Sequence, residues 1–295
     1  MIYDTIVRRI PIEKGWSGDR KYCATTTDSK KYLLRIASPE RYSRTKASFK
    51  RMQEVYKLGI SMPEPLEMGA CPEGIYTIQS WINGEDAETV LPSLPASTQN
   101  NLGLDAGRML KVIQTIPAPE DILPWDVKFN AKIDRKIAMY EACPLRYEKD
   151  WLIFEYLAEN RNLLVNRPQT YQHGDYHVGN MMVDAMGKLV IIDFDREDFG
   201  DPWEEFNRIV WCAQAAPEFA RGMVDGYFDG DVPEDFWRLL LLYICSNTLS
   251  SLPWAVLYGQ EQVQIMTNQW EDIRAWYGDL VKIVPIWYKQ TKPQV

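Results

Sequence analysis

The sequence has few cysteines and no long uninterrupted apolar run. Its 295 residues include five cysteines, and none of them forms a C-x-x-C pair. This argues against a zinc ribbon, a redox pair or a disulfide scaffold. The N-terminal segment lacks the apolar stretch of a signal peptide. The most apolar segment, residues 239–257, is interrupted by polar residues and a proline, which predicts a buried helix and no membrane partner. We therefore expect a cytoplasmic location with reduced thiols.

Positive charge is scarce overall and unevenly distributed. The formal net charge is -8, which disfavours a nucleic-acid partner because nucleic-acid-binding domains are usually basic. Residues 1–82 hold 14 Lys/Arg and 9 Asp/Glu, whereas residues 83–295 hold 19 and 32. A basic first part and an acidic remainder would suit an anionic ligand and a cationic ligand, respectively. Solvated surface charge is the alternative interpretation.

The chain changes character near residues 82–85. Before this point, short β-prone runs surround one helix that would begin after Ser38 and end at Gly59. After it, helical periodicity dominates, with one β-hairpin at 181–192. We predict an α+β fold with a small sheet-plus-helix lobe, residues 1–82, and a larger, mostly helical lobe, residues 83–295. The predicted strands are 2–8, 21–27, 32–36 and 75–82, and the predicted helices lie near 102–116, 128–142, 150–165, 203–215, 218–229, 233–250 and 261–280.

The two histidines of the chain lie within five residues of each other. His173 and His177 flank Asp175 in a glycine-containing loop that ends at Asn180. The predicted hairpin folds back on itself, so Asp193 should return close to Asn180. Carboxylate and amide oxygens suit Mg²⁺, which is held by one or two carboxylates plus substrate phosphates. Protein kinases have the same spacing, Asp-x-x-x-x-Asn followed by a metal-binding Asp before Phe, and phosphoryl transfer requires such a set.

These motifs, with Gly200-Asp-Pro-Trp-Glu-Glu205 after them, resemble the aminoglycoside phosphotransferase family. That family is related to choline kinase and has a bilobal, protein-kinase-like fold. The resemblance implies a catalytic base at Asp175, and Mg²⁺ ligands at Asn180 and Asp193, with ATP or GTP as phosphate donor. It further implies that four residues support the site. One of them, Asp201, can also cap the helix that begins at Pro202. The supporting residues are His173, His177, Asp195 and Asp201.

The nucleotide-binding residues depart from the protein-kinase pattern. No G-x-G-x-x-G is present, and the candidate phosphate loop is 15–19. By the resemblance, Arg35 replaces the usual lysine of the third strand, and Ser48 stands where a helix glutamate would pair with it. Arg keeps the charge but changes the geometry of a phosphate contact. The backbone near Ser80 and Ile82 would meet a purine. The predicted nucleotide-binding set is Gly15, Ser17, Gly18, Arg35, Ser80 and Ile82.

The acceptor is predicted to be a small, cationic, hydroxyl-bearing molecule. Aminoglycosides and related amino sugars are the family's best-known acceptors. If the acceptor is an aminoglycoside, the resemblance implies a role in antibiotic resistance. A choline-like amine, homoserine or another sugar remains an alternative. Solvated helix faces are the competing interpretation for each acidic candidate. These acceptor candidates are Glu204, Glu205, Glu271 and Asp272.

Three other functions compete with a small-molecule kinase. A zinc hydrolase could use His173, Asp175 and His177, but the chain has no third histidine. A non-catalytic nucleotide sensor would explain Ser48, although Asp175, Asn180 and Asp193 are all retained. A protein kinase would need a long activation segment, whereas Gly200-Asp-Pro follows Asp193 within ten residues. We therefore predict an Mg²⁺-dependent small-molecule phosphotransferase.

Overall fold

The computed structural model describes residues 1–13 and 18–289. The chain divides into two compact units. The first comprises Met1–Val90 together with Asn180–Glu197, and the second comprises Leu91–Gly179 together with the chain from Asp198 onward. The sequence placed a boundary at 82–85 and assigned everything after it to one lobe. The structure differs because a strand at Gly84–Asp86 pairs with the hairpin that begins at Met181, and this pairing joins both segments to the first unit.

A five-stranded antiparallel sheet dominates the first unit, in the order β1-β2-β3-β5-β4. Alternate residues of its strands face a core of Ala24, Leu34, Ile36, Tyr76 and Ile78. The sheet is followed within this unit by a smaller three-stranded sheet, β6-β8-β9. The strands of the two sheets are β1 (Ile6–Pro11), β2 (Arg20–Thr26), β3 (Lys31–Ala37), β4 (Pro65–Cys71), β5 (Gly74–Ser80), β6 (Gly84–Asp86), β8 (Met181–Asp184) and β9 (Leu189–Ile191).

Helix α1 (Tyr42–Lys57) lies between β3 and β4 and buries Phe49, Met52 and Val55. The predicted helix start is displaced because a short 3-10 turn, Pro39–Arg41, precedes the α-helix. Ser38 has the extended backbone of a cap, but its side chain makes no capping hydrogen bond. A four-residue helix, α2 (Ala87–Val90), ends the first stretch of this unit.

The second unit is mostly helical, as predicted. Its two short strands, β7 (Thr170–Gln172) and β10 (Asp198–Gly200), pair antiparallel and hold the loop that carries the histidines. A 3-10 segment, Pro202–Arg208, follows β10. The helices are α3 (Ala96–Ile113), α4 (Trp125–Ala142), α5 (Trp151–Asn160), α6 (Ile209–Ala215), α7 (Pro217–Phe228), α8 (Glu234–Tyr258), α9 (Gln260–Tyr277) and α10 (Ile286–Lys289).

Helix α8 is long and apolar enough to cross a membrane by length and composition alone, and it is the one such helix among the described residues. In the structure, 67% of its most apolar window is buried inside the protein. Leu239–Ser246 is buried throughout, so the helix packs on all sides. This burial is that of a core helix, as the sequence predicted.

Candidate active site

The loop that begins at His173 is anchored by the carboxylate of Glu205. Glu205 accepts hydrogen bonds from the backbone N–H groups of His173 (2.6 Å) and Gly174 (2.9 Å). Gly174 has a φ of +82°, a conformation that favours glycine. The fully buried His173 ring accepts the Asp175 N–H at Nδ1 (3.3 Å). His173 therefore contacts the loop through its own backbone and ring.

Two side chains of the second unit, Arg208 and His177, contact the Asp175 carboxylate. Arg208 Nε lies 2.7 Å from Asp175 Oδ1, and His177 Nε2 lies 3.3 Å from the same oxygen. The His177 ring is itself fixed, because its Nδ1 accepts the Gly179 N–H at 3.1 Å. Both contacts are made to the same oxygen, and the Asp175 side chain is 14% exposed.

Asp201 caps the 3-10 segment and also anchors the interior of the second unit. Its Oδ1 accepts the Trp203 N–H (2.9 Å), and its side chain receives bonds from Arg167 (2.5 and 3.0 Å). Tyr243 donates to Asp201 Oδ2 at 2.6 Å. The Asp201 carbonyl accepts the Gln172 side chain at 2.8 Å, next to the catalytic loop. The capping and bracing roles therefore coexist.

Glu204 and Glu205 are buried, which favours structural roles over contact with an acceptor. Lys132 Nζ lies 2.8 Å from Glu204 Oε1, and Lys132 with Lys136 lowers the pKa of Glu204 against the effect of burial. Burial and the neighbouring Glu204 raise the pKa of Glu205 to about 8. Burial and Lys132 lower the pKa of Lys136 to about 7. The cluster has mixed charge, and Lys132 is its partly exposed member.

The other two acidic acceptor candidates lie on α9. Asp272 accepts a hydrogen bond from Gln214 Nε2 at 2.6 Å. Glu271 is exposed and borders a cavity of about 420 Å³ that Arg274 and Asp279 also line. No contact of either residue with the loop at Asp175 is seen among the described side chains.

In the first unit, the predicted hairpin forms and returns Asp193 to Asn180. Met181 pairs with Ile191, and the Ile192 N–H donates to the Asn180 carbonyl at 3.0 Å. Asp193 has a left-handed backbone (φ 64°, ψ 62°), which a non-glycine residue adopts at a cost and which is common at functional sites. The oxygen-donor set of Asn180 and Asp193 fits a divalent cation whose remaining ligands are phosphates.

The Asp193 carboxylate faces two cations of the same unit. Arg35 Nη1 lies 2.9 Å from Oδ1, and Lys21 Nζ lies 3.3 Å from Oδ2. Burial alone would raise the pKa of Asp193, but Arg35 and Lys21 outweigh it and hold that pKa below its usual range. The lowered pKa favours the ionised carboxylate.

Helix α1 has Ser48 where the resemblance implies a glutamate partner for Arg35. The carboxylates that contact Arg35 lie outside this helix. Arg35 pairs with Asp19 (3.4 Å) and contacts Asp195. The Ser48 hydroxyl is buried and makes no hydrogen bond to the part of the chain that the structure describes. Arg35 is thus braced by the segment before β2 and by the segment after the hairpin, and Asp195 supports the site through Arg35.

The remaining nucleotide-binding predictions are placed as follows. Gly15 and Ser17 lie outside the described residues. Gly18 is exposed, and a Cβ atom there would have nothing within 4 Å. Ser80 ends β5, and its N–H donates to the Glu64 carbonyl at 2.9 Å, whereas Ile82 follows the strand and is half-buried.

Sequence reasoning assigned Glu205 to the acceptor and did not single out Arg208 or Lys21. Glu205 anchors the loop, Arg208 binds Asp175, and Lys21 binds Asp193. Lys21 could have been found, since it is the cross-strand partner of Arg35. Among the described residues, no group of three His, Cys, Asp or Glu side chains could hold a metal ion, which does not favour the zinc hydrolase.

The fold and these sites define a small-molecule phosphotransferase with a protein-kinase-like fold. The profile of the phosphotransferase enzyme family matches residues 8–239, and the chain belongs to that family. No curated protein sequence matches the chain.

Solved structures share the fold at low sequence identity. A thermostable mutant of the aminoglycoside phosphotransferase APH(4)-Ia is 16% identical, with a TM-score of 0.64, and the alignment covers 92% of this chain and 95% of that one. The amicoumacin kinase hAmiN, in complex with AMP-PNP, Ca²⁺ and Ami, is 14% identical, with a TM-score of 0.66 and coverages of 98% and 95%. A choline/ethanolamine kinase family protein from Mesorhizobium loti is 15% identical, with a TM-score of 0.65 and coverages of 96% and 93%.

Proposed function

We propose that this protein transfers the γ-phosphate of ATP or GTP to a hydroxyl of a small molecule and requires Mg²⁺. The observation that carries this proposal is the hairpin register, which brings the ionised Asp193 carboxylate back to Asn180. Mg²⁺, when bound, would neutralise phosphate charge. Asn180 and Asp193 would hold it, and Arg35 would supply a further positive charge beside the phosphates.

Asp175 would accept or orient the attacking hydroxyl of the acceptor. The support for this role is its fixed carboxylate, which Arg208 and His177 hold through Oδ1. The loop amides bound to Glu205 keep the position of Asp175 constant. Positioning of this kind is the main contribution that a protein makes to phosphoryl transfer.

An aminoglycoside or related amino sugar is the proposed acceptor. Support comes from the acidic balance of residues 83–295, which favours a cationic acceptor, and from similar folds solved with hygromycin B and gentamicin. Choline-like amines, homoserine and sugars are the alternative acceptors. A cytoplasmic location, with its supply of nucleotide and its reducing conditions, agrees with the five free cysteines.

The test compares the wild type with Asp193→Ala, using ATP or GTP, Mg²⁺ and a panel of aminoglycosides and small amino alcohols. We expect acceptor-stimulated formation of ADP or GDP by the wild type, and a loss of at least about 100-fold in the variant. Asp198→Ala provides a matched control, because Asp198 is exposed and pairs with Lys128 in the second unit. Equal turnover by wild type and Asp193→Ala would refute the proposed metal ligand.

A further inference from the structure

Lys21 on β2 is a buried cation for which the sequence suggested no function. It is the direct cross-strand partner of Arg35 on β3, and Arg35 is in turn the partner of Thr77 on β5. Directly paired residues of neighbouring strands point to the same face of a sheet. Lys21 and Arg35 therefore form one rung on the face opposite the apolar core of Leu34 and Ile36.

Both cations of this rung converge on one carboxylate. They approach different oxygens of Asp193, Arg35 at 2.9 Å and Lys21 at 3.3 Å. Arg35 has further acidic partners in Asp19 and Asp195. Among the described residues, Asp193 is the carboxylate within ion-pair distance of Lys21.

A buried ammonium group needs an anion close to it. The Lys21 side chain is 11% exposed, and its ammonium nitrogen lies 3.3 Å from Asp193 Oδ2. Removing one partner of a buried ion pair leaves an uncompensated charge at high cost. A divalent cation on Asp193 would take this counter-charge away from Lys21 and would also repel it. An anion that arrives together with the metal would restore the counter-charge of Lys21.

We propose that Lys21 is a second phosphate-binding cation of the nucleotide site, beside Arg35. In the metal-free protein it neutralises Asp193, and in the loaded protein it binds a phosphate oxygen of the nucleotide. This inference rests on the proposed function, since the anion that accompanies the metal is the polyphosphate of ATP or GTP. An ammonium group is a compact point charge suited to such a contact.

The experiment measures binding by calorimetry rather than turnover. Lys21→Met keeps the length of the side chain and removes its charge, Lys21→Arg restores a charge, and Lys31→Met is the matched control. Lys31 is exposed at the start of β3, one strand away. Each protein is titrated with adenosine, with ADP and ATP in the presence of Mg²⁺, and with Mn²⁺ alone. Thermal unfolding of each variant establishes that it is folded.

We expect Lys21→Met to bind Mg²⁺-ATP about 10- to 100-fold more weakly than the wild type, with adenosine affinity unchanged. Mn²⁺ alone should bind at least as tightly as to the wild type, because a cation that competes for Asp193 has gone. Lys21→Arg should recover most of the ATP affinity, and Lys31→Met should behave as the wild type. A purely structural Lys21 would not produce opposite effects on metal and nucleotide.

Two results would overturn the inference. One is an unchanged affinity of Lys21→Met for Mg²⁺-ATP, and the other is an equal loss for adenosine and ATP. Failure of the wild type to bind any nucleotide would be a different result, because it would refute the proposed function and this inference with it.

Discussion

At the scale of single residues, Glu205 is the side chain on which the position of Asp175 depends. Its carboxyl group accepts two backbone N–H groups at the start of the catalytic loop. Burial and Glu204 raise its pKa to about 8. Each of its two oxygens accepts one of these N–H groups, so an amide would replace one acceptor by a donor.

This gives a prediction for two variants of one residue. Glu205→Gln should lose about 1–3 kcal/mol of the free energy of unfolding at pH 7, because one of the two buried N–H groups loses its acceptor. Glu205→Ala should lose about 2–4 kcal/mol, because two buried N–H groups lose their acceptor. Urea unfolding measures both, with Glu159→Ala, an exposed glutamate of α5, as the control. The role assigned to Glu205 would be wrong if the alanine variant were as stable as the wild type.

Lys136 gives a second prediction, on the pH dependence of stability. Its pKa in the folded protein is about 7, below the ordinary value of 10.5. Between these values the unfolded chain binds a proton that the folded protein does not, so the contribution of Lys136 to stability increases with pH over this window. Below about pH 7 the folded protein carries the full cost of the buried ammonium.

Lys136→Met should therefore raise the free energy of unfolding at pH 7 by about 1–4 kcal/mol and remove part of its rise toward pH 10. The exposed-lysine control, Lys57→Met on α1, should leave the slope unchanged. Urea unfolding at several pH values gives the comparison. Parallel pH profiles for Lys136→Met and the wild type would contradict the buried position of this lysine.

At the scale of secondary-structure elements, α3 and α7 pack with their backbones in close approach. A Cβ atom on Gly107 would lie 2.1 Å from the Met223 carbonyl oxygen, and one on Gly226 would lie 2.2 Å from that of Leu104. Gly103 and Gly222 are equally close to the opposite helix. Glycine is required at these positions because any side chain would push the helices apart.

Gly107→Ala should therefore destabilise the protein by about 2–3 kcal/mol, although alanine favours an isolated helix. Asn101→Ala, at an exposed position of the same helix, should be neutral or slightly stabilising. Thermal unfolding measures the stability of both variants. Gly107→Ala reports the effect of overpacking, and Asn101→Ala reports the effect of helix propensity on the same helix. A gain in stability for Gly107→Ala would mean that the two helices are not in contact.

The elements that were predictable from the sequence had strong local patterns. The apolar stripe of α3 predicted a helix, and the turn at Gly187 predicted the β8–β9 hairpin. The hairpin in turn predicted that Asp193 returns to Asn180. Strand β4 was not predicted because residues such as Glu67 and Gly69 have low strand propensity. Contacts with β5 and with the segment before β1 stabilise it. Its Glu67 side chain accepts the Ile2 N–H at 2.5 Å, a contact over 65 residues.

The candidate site was predictable only in part, because sequence patterns report contacts between residues that are close along the chain. Asp175, Asn180 and Asp193 lie within one short stretch, where spacing in the sequence is informative. Glu205 and Lys21 act through contacts over 32 and 172 residues, respectively. Local periodicity carries no information about such pairs.

At the scale of the whole molecule, each unit carries a different part of the machinery. The first unit holds Asn180 and Asp193 with the cations Lys21 and Arg35, whereas the second holds Asp175 in its braced loop. In the proposed function, the two parts have separate roles. Binding of the nucleotide with its metal is assigned to the first set, and the positioning of the acceptor hydroxyl is assigned to Asp175.

The most direct test of this account measures nucleotide binding and phosphate transfer in the same variant, Asp175→Asn. The amide keeps the size of the side chain but removes the negative charge that positions the acceptor hydroxyl. We predict that Asp175→Asn binds Mg²⁺-nucleotide with the affinity of the wild type and loses acceptor-stimulated transfer by at least about 100-fold. Transfer at the rate of the wild type would contradict the assignment of Asp175 as the catalytic base.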